Sequence, residues 1–186
     1  VFKENIEKDI NINCLSTINL LKNSYKYKTR KFIYASSVAV YGNNKEKPVS
    51  ESSNTYPITS YGITKLATEN YIKYLCKNLL KNMKYNILRY SNIYGPNQGR
   101  LGEVGVIRTF LERLKLNQNI YVHGSGFQTR DYLYIDDCVE VTIKCFKLKK
   151  NLLLNICSGK SETVNKIVNT IKKITKKKIN LKKRVI

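Results

Sequence analysis

The stretch Lys31-Phe-Ile-Tyr-Ala35, continued by Ser36-Ser37-Val38-Ala39-Val40-Tyr41-Gly42, determines the fold that we expect for this chain. Its apolar first half predicts a short buried strand. A polar loop with two prolines follows over residues 43–58, and then a long helix over 60–81. Tyr-Asn-Ile-Leu-Arg-Tyr at 85–90 predicts the next strand. Two strands joined by a long helical crossover indicate a parallel βαβ unit.

Outside this unit the pattern of helices alternating with strands continues. A helix is predicted over residues 3–24, and its spaced apolar positions are Ile6, Ile10, Cys14, Leu15, Ile18 and Leu21. Further helices are predicted over 103–117, 136–148 and 161–175, and further strands over 120–123, 132–135, 152–156 and 178–182. This alternation places the chain in the α/β class.

Tyr61 and Lys65 lie four residues apart at the start of the predicted helix 60–81, so they share one helical face. A Lys ammonium beside a Tyr hydroxyl favours the phenolate, whereas a free Tyr, with a pKa near ~10, is a poor base at neutral pH. A Ser hydroxyl at the preceding strand end can add a hydrogen bond to the same reacting oxygen. These groups predict a site that removes a proton from an alcohol while a hydride leaves the carbon. The spacing alone is weak evidence, because the chain has 14 Tyr and the pair also fits a solvated helix face.

Five blocks of sequence, in a fixed order, resemble those of the extended short-chain dehydrogenase/reductases. The blocks are Tyr34 to Gly42, Ser60 to Lys65, Leu88 to Pro96, Gly124 to Asp137, and Asn155 to Gly159. The ordered set is more specific than any one block. It is most similar to the NAD-dependent sugar-nucleotide epimerases of the UDP-glucose 4-epimerase type, and Gly102-Glu-Val-Gly-Val-Ile107 strengthens that assignment.

The resemblance implies the C-terminal half of a doubly wound parallel (Rossmann) sheet plus part of a small substrate-binding subdomain. Residues 1–95 and 132–157 would belong to the NAD-binding domain, and 96–131 and 158–186 to the sugar-nucleotide-binding subdomain. A dinucleotide site normally opens with a strand, a Gly-rich turn and a helix. Gly99-Arg-Leu-Gly-Glu-Val-Gly105 has similar glycine spacing without that context, and we interpret it as a substrate loop. We therefore expect this chain to be the C-terminal part of a longer protein and to be inactive alone.

The resemblance also implies a catalytic triad. Tyr61 would be the general acid/base and would also contact the cofactor, and Lys65 would tune the pKa of Tyr61 and hold the nicotinamide ribose. Ser37 would be the third member and would also contact the substrate, with Ser36 as the second choice for that position.

Four further residues match family positions at the ligands. Tyr90 and Asn13 would contact the cofactor, although a core tyrosine and a helix-surface asparagine are alternatives. Asn92 and Arg130 would bind the substrate. The forked guanidinium of Arg130 suits diphosphate oxygens; its alternative is an ion pair with Asp131 or Asp136, and that of Asn92 is a turn residue.

The function implied by the resemblance is epimerisation of a UDP-sugar at C4, with NAD as cofactor and a transient 4-keto intermediate. Related dehydratases and decarboxylases place acidic residues after the Ser/Thr, whereas Val38 and Ala39 here cannot transfer protons. The alternatives are a sugar-nucleotide reductase of the same superfamily, a basic RNA-binding protein on the same fold, and a non-catalytic fragment. A homodimer through helices 3–24 and 60–81 is expected from the family.

The composition narrows the class of protein further. The net charge of +21 suggests polyanions as partners. However, lysines are spread along the helices, and the basic tail 172–184 fits a solvated helix end, so no specific nucleic acid partner is expected. Five scattered Cys and one His predict buried thiols in a reducing compartment and no metal site. Neither a membrane span nor a signal peptide is visible, so a cytoplasmic protein is expected.

Overall fold

The computed structural model describes residues 5–46, 48–99, 105–177 and 179–184. Its helices are α1 (Ile6–Asp9), α2 (Ser16–Lys26), α3 (Ser60–Asn78), α4 (Val106–Lys115), α5 (Ile135–Lys147) and α6 (Val164–Thr175). Its strands are β1 (Lys31–Ser37), β2 (Lys84–Tyr90), β3 (Asn92–Tyr94), β4 (Ile120–His123), β5 (Thr129–Tyr134), β6 (Leu152–Ile156), β7 (Ser161–Thr163) and β8 (Leu181–Arg184). A π-helical turn (Ile10–Leu15) joins α1 to α2, and a 3-10 turn (Val38–Tyr41) follows β1.

The chain divides into two compact units, and the first contains residues 1–90 and 140–156. Its sheet has the strand order β1-β2-β6, and all three strands are parallel. Ser37 pairs with Tyr90, and Tyr90 pairs with Ile156, so the three strands end at one edge. The core beneath is formed by Leu21, Phe32, Tyr34, Ile72, Leu75, Cys76, Leu80, Met83 and Ile87.

The second unit contains residues 91–139 and 157–186. β5 pairs with β3 in parallel and with β7 in antiparallel orientation, while β4 and β8 form a separate parallel pair. α4 and α6 supply most of the core, which consists of Phe110, Leu114, Ile120, Val122, Val164, Val168 and Ile171. No described helix is both long and apolar enough to cross a membrane.

The α/β class with a parallel sheet is confirmed, and β1, β2 and α3 lie where the sequence predicts them. The predicted helix 161–175 is wrong in its first three residues, which form β7 against β5. This pairing depends on residues about thirty positions away, so local periodicity does not reveal it. The first two residues of the predicted helix 103–117 lie outside the described residues.

The apolar stripe predicted for residues 3–24 is partly wrong. Cys14 and Leu21 are buried, but Ile6, Ile10 and Leu15 are between 41% and 51% exposed. A π-helical turn takes one extra residue, so it rotates the positions before it relative to those after it. The α-helical period that we assumed therefore does not hold across Ile10–Leu15. The prediction of buried cysteines is also wrong at Cys157, which is exposed.

Candidate active site

Ser37 is the last residue of β1 and caps the turn that follows. Its backbone is extended (φ −145°, ψ 149°), and its Oγ accepts a hydrogen bond from the Ala39 N–H at 3.2 Å. The hydroxyl is therefore held at the edge where β1 and β2 end, and its own proton remains available for donation.

Two glycines let the turn after Ser37 approach its neighbours closely. Gly42 has φ +59°, and a Cβ there would lie 2.0 Å from the Tyr56 carbonyl oxygen. A Cβ on Gly62 would lie 2.7 Å from the Ala39 carbonyl oxygen. Gly62 follows Tyr61, so this close approach brings the turn after Ser37 against the first turn of α3.

Tyr61 and Lys65 project from successive turns of α3. The helix begins after Thr59, whose Oγ1 accepts from the Gly62 N–H at 3.1 Å. Lys65 Nζ lies 5.5 Å from the centre of the Tyr61 ring and 5.1 Å from that of Tyr34. It also donates to the Ala35 carbonyl oxygen at 3.0 Å, so one ammonium group joins α3 to β1 beside the phenol.

The electrostatics at Lys65 are set mainly by burial. Desolvation lowers the pKa of Lys65 from its ordinary value, and coulombic interaction with Cys14 opposes that shift. The Tyr61 ring, by contrast, is 37% exposed. The pair therefore combines a partly desolvated ammonium with a partly exposed phenol.

Asn13 lies in the π-helical turn and packs against the same helix. Its Nδ2 donates to Thr64 Oγ1 at 3.2 Å, and its carbonyl oxygen accepts from Thr68 Oγ1 at 3.0 Å. Both threonines are on α3, one of them adjacent to Lys65. The structure therefore places Asn13 beside the Tyr61–Lys65 helix, and its role at a cofactor stays a prediction.

Tyr90 ends β2 next to Ser37, and its hydroxyl is hydrogen-bonded to Thr142 Oγ1 on α5 at 2.8 Å. The half-buried ring is thus fixed within the first unit. A role at the nicotinamide is not tested by this contact and stays a prediction.

The second unit brings Asn92 and Arg130 into one cavity of about 260 Å³, which Gln128 and Tyr132 also line. Asn92 Nδ2 donates to the Asp131 carbonyl oxygen at 3.1 Å. Arg130 is exposed and donates to the Thr129 carbonyl oxygen at 2.9 Å. The Asp131 carboxylate, which the sequence offered as an alternative partner for Arg130, accepts hydrogen bonds from Ser91 Oγ at 3.1 Å and from the Ser158 N–H at 2.9 Å.

Two buried charged residues in the first unit were not predicted from the sequence. Glu69 on α3 and Arg89 on β2 are 0% and 2% exposed and form an ion pair. The sequence signal that could have identified them is a charge at a position where the neighbouring residues predict burial. Glu69 lies between Thr68 and Ile72 on α3, and Arg89 lies within Ile-Leu-Arg-Tyr on β2. Within the described ranges, no group of three or more His, Cys, Asp or Glu side chains could hold a metal ion.

Residues 2–157 match the sequence profile described as the NAD dependent epimerase/dehydratase family. A putative UDP-glucose 4-epimerase of Methanocaldococcus jannaschii is 41% identical over 170 residues, which are 91% of this chain and 55% of that protein. The dTDP-4-dehydro-6-deoxyglucose reductase of Escherichia coli is 36% identical over 95% of this chain and 56% of its own length.

Among solved structures, the UDP-glucose 4-epimerase of Thermotoga maritima with UDP-glucose matches with a TM-score of 0.89 and 35% identity. The match covers 96% of this chain and 59% of that one. The chain therefore spans about half to three fifths of the length of these relatives.

Proposed function

The chain belongs to the NAD-dependent epimerase/dehydratase family, and we propose that it carries the catalytic residues of an enzyme that epimerises a UDP-sugar at C4. The observation that carries this proposal is the position of Lys65. Its ammonium lies 5.5 Å from the centre of the Tyr61 ring, at the sheet edge where β1 ends with Ser37. A base, a cation that stabilises it and a hydroxyl donor can together remove the proton of an alcohol while a hydride leaves the carbon.

In the proposed mechanism Tyr61, as the phenolate, takes the proton from the sugar 4-hydroxyl. The Lys65 ammonium stabilises the phenolate, and the Ser37 hydroxyl donates to the same sugar oxygen. With a hydride also passing from C4 to a bound nicotinamide, the sugar would become the 4-keto form. It would then present its opposite face, take the hydride back at C4 and recover the proton from Tyr61. The substrate thus changes configuration at one carbon without net oxidation.

The residues present fit a nicotinamide cofactor. Lys65 Nζ has three donors, of which Ala35 uses one, so the others can hold ribose hydroxyls. The site also lies at the carboxyl edge of a parallel sheet, where this class of fold binds dinucleotides. When bound, NAD accepts a hydride and returns it.

The nucleotide part of the substrate is assigned to the second unit. Arg130 offers a charged, forked donor set in the same cavity as the Asn92 amide, and both suit diphosphate oxygens. A larger cavity of about 770 Å³ shares Tyr94, Gln98 and Tyr132 with it and gives additional volume for a nucleotide.

The test uses the native protein that contains this chain. Tyr61→Phe should reduce turnover of UDP-glucose, UDP-N-acetylglucosamine or UDP-glucuronate by about 10²–10⁴-fold, the contribution typical of a general acid/base. Binding of UDP should be retained, because the phenol does not contact the diphosphate in this proposal. Tyr74→Phe on the same helix is the matched control and should keep turnover. Full turnover by Tyr61→Phe would refute the assignment.

A reductase is the second candidate, and the 36% identity to the Escherichia coli reductase supports it. A reductase uses the same acid/base pair to protonate a 4-keto sugar but consumes the reduced cofactor. Stoichiometric loss of NADH or NADPH absorbance at 340 nm with a 4-keto sugar would select it. Interconversion of two UDP-sugars without net loss would select the epimerase.

A homodimer through the two long helical segments is supported by their exposed apolar side chains. On α3 these are Ile63, Tyr71 and Tyr74, each more than half exposed and spaced to share one helical face. Ile12 and Leu20 on the first helical segment are 56% and 60% exposed. Light scattering should report a dimer, and Ile63→Lys with Tyr71→Lys should give a monomer.

A further inference from the structure

A cluster of buried polar side chains lies behind the strand end that carries Ser37. The Arg89 guanidinium binds the Glu69 carboxylate through two nearly parallel hydrogen bonds, Nε to Oε1 at 2.9 Å and Nη2 to Oε2 at 2.6 Å. Ser36 Oγ also donates to Glu69 Oε1, at 2.6 Å. The ion pair therefore holds the residue immediately before Ser37.

The third guanidinium nitrogen reaches the other side of Ser37. Arg89 Nη1 donates to the Tyr41 hydroxyl at 2.7 Å, and Arg89 Cζ lies 4.8 Å from the centre of the Tyr41 ring. Tyr41 is the last residue of the 3-10 turn that Ser37 caps. Ser36 and Tyr41 therefore lie on either side of Ser37 in the sequence, and both are hydrogen-bonded to the Glu69–Arg89 ion pair.

The hydrogen bonds continue into the segment that connects Ser37 to Tyr61. The Tyr41 hydroxyl donates to Asn155 Oδ1 at 2.7 Å, and Asn155 Nδ2 donates to the Val49 carbonyl oxygen at 3.1 Å. The Asn155 N–H donates to Glu51 Oε1 at 2.8 Å. The network therefore joins α3, β2 and β6 to the loop that lies between Ser37 and Tyr61.

Stability alone does not account for this arrangement. Burial would lower the pKa of Arg89, but its hydrogen bonds to Glu69 and Tyr41 outweigh that effect and raise the pKa, so the guanidinium stays charged. Buried ion pairs often contribute no more stability than apolar side chains of similar volume. A forked guanidinium does, however, fix its acceptors in a defined plane, which an apolar pair cannot do.

We propose that Glu69 and Arg89 are positioning residues, which hold the segment from Ser36 to Tyr41 so that the Ser37 hydroxyl stays at the sheet edge. The catalytic consequence rests on the proposed function. The positioning itself is a property of this chain and can be measured without activity.

The experiment uses the native protein and separates global from local stability. The first variant replaces both charges, Glu69→Leu with Arg89→Met. The second, Tyr41→Phe, keeps the Glu69–Arg89 ion pair and removes the Tyr41 hydroxyl, with its hydrogen bonds from Arg89 Nη1 and to Asn155 Oδ1. Met83→Ala is the control, because Met83 is 1% exposed in the hydrophobic cluster. Urea unfolding reports global stability, and NMR amide exchange reports the Ala39 N–H, which donates to Ser37 Oγ.

The measured quantity is the exchange rate of the Ala39 amide divided by that of the β2 amides. This ratio should rise at least tenfold over wild type in both network variants and stay unchanged in Met83→Ala. Tyr41→Phe decides the question if the double variant does not fold. Wild-type exchange of Ala39 in a folded network variant would overturn the proposal, as would an equal loss of protection across β2.

Catalysis gives a second, independent readout in the native protein. Tyr41→Phe should lower kcat at least tenfold and change KM for the UDP-sugar less than threefold, because the network is not placed at the diphosphate. If the wild-type protein has no epimerase or reductase activity, the proposed function fails, and the exchange ratio still decides the positioning. An unchanged kcat in an active protein would overturn the catalytic role of the network.

Discussion

Asn86 should be replaceable by valine without loss of stability, although it is a fully buried, hydrogen-bonded residue in the central strand β2. Its Nδ2 donates to the Cys145 carbonyl oxygen at the end of α5, at 2.6 Å. The same oxygen accepts from Lys31 Nζ at 2.9 Å and from the Leu148 N–H at 3.3 Å. A carbonyl oxygen has two lone pairs, so it stays satisfied after Asn86 is removed.

The magnitude follows from the two ends of the Asn86 side chain. The variant loses the Nδ2 hydrogen bond, which costs about 1 kcal/mol. Among the described residues no donor reaches Asn86 Oδ1, and burying such an acceptor already costs the wild type about 1–3 kcal/mol, which the variant recovers. Asn86→Val removes both groups and adds a good strand former. We therefore expect a change in unfolding free energy between zero and a gain of about 2 kcal/mol.

Lys31→Met is the contrasting variant at the same carbonyl. Lys31 Nζ also donates to the Phe146 carbonyl oxygen at 3.1 Å and to that of Leu148. Removing it takes a charged donor from the C-terminal carbonyls of α5, and a charged hydrogen bond contributes about 1.5–3 kcal/mol. Urea unfolding followed by circular dichroism at 222 nm measures both variants. A loss above about 1 kcal/mol in Asn86→Val would refute the reasoning, since it exceeds the one hydrogen bond removed.

Three further predictions concern a turn, a titration and a ligand contact. Gly42→Ala should lower the unfolding free energy by at least about 1–2 kcal/mol in urea, because a side chain at φ +59° is strained and would meet Tyr56. Burial raises the pKa of Tyr34 in the folded protein. The stability that depends on a protonated Tyr34 is therefore fully present below the unfolded pKa near ~10 and is lost as the pH rises through the folded pKa. Tyr34→Phe should thus remove part of the alkaline loss of stability in unfolding measured from pH 8 to 11, and identical pH profiles would contradict this. Arg130→Ala should weaken calorimetric UDP binding about 10–100-fold, the value of one charged hydrogen bond, without changing the urea midpoint; unchanged affinity would exclude Arg130 from the diphosphate site.

The sheet and the first turn of α3 were predictable because their signals are local. β1 and β2 are apolar runs bounded by polar loops, and Tyr61 and Lys65 are one helical turn apart, so the ladder and the pair follow from period and spacing. The pairing of β7 with β5 and the π-helical turn at Ile10–Leu15 were not predictable in this way. The first depends on a distant strand, and the second breaks the period from which helices are inferred.

The buried ion pair shows what a residue-by-residue interpretation of the site omits. Glu69 and Arg89 are separated by 20 positions and lie on different elements, so neither has a local pattern that identifies its partner. Each residue alone is a charge at a position where the pattern of neighbouring residues predicts burial. The two charges become compatible with burial only when β2 lies beside α3 and they form an ion pair. A charge at a position that should be apolar is thus informative, because its desolvation must be compensated by a partner elsewhere in the fold. In this chain the compensating contacts lead to Ser36 and Tyr41, on either side of the serine that ends β1. The cost of burying two charges is therefore incurred where a side chain of the proposed active site has to be held in place.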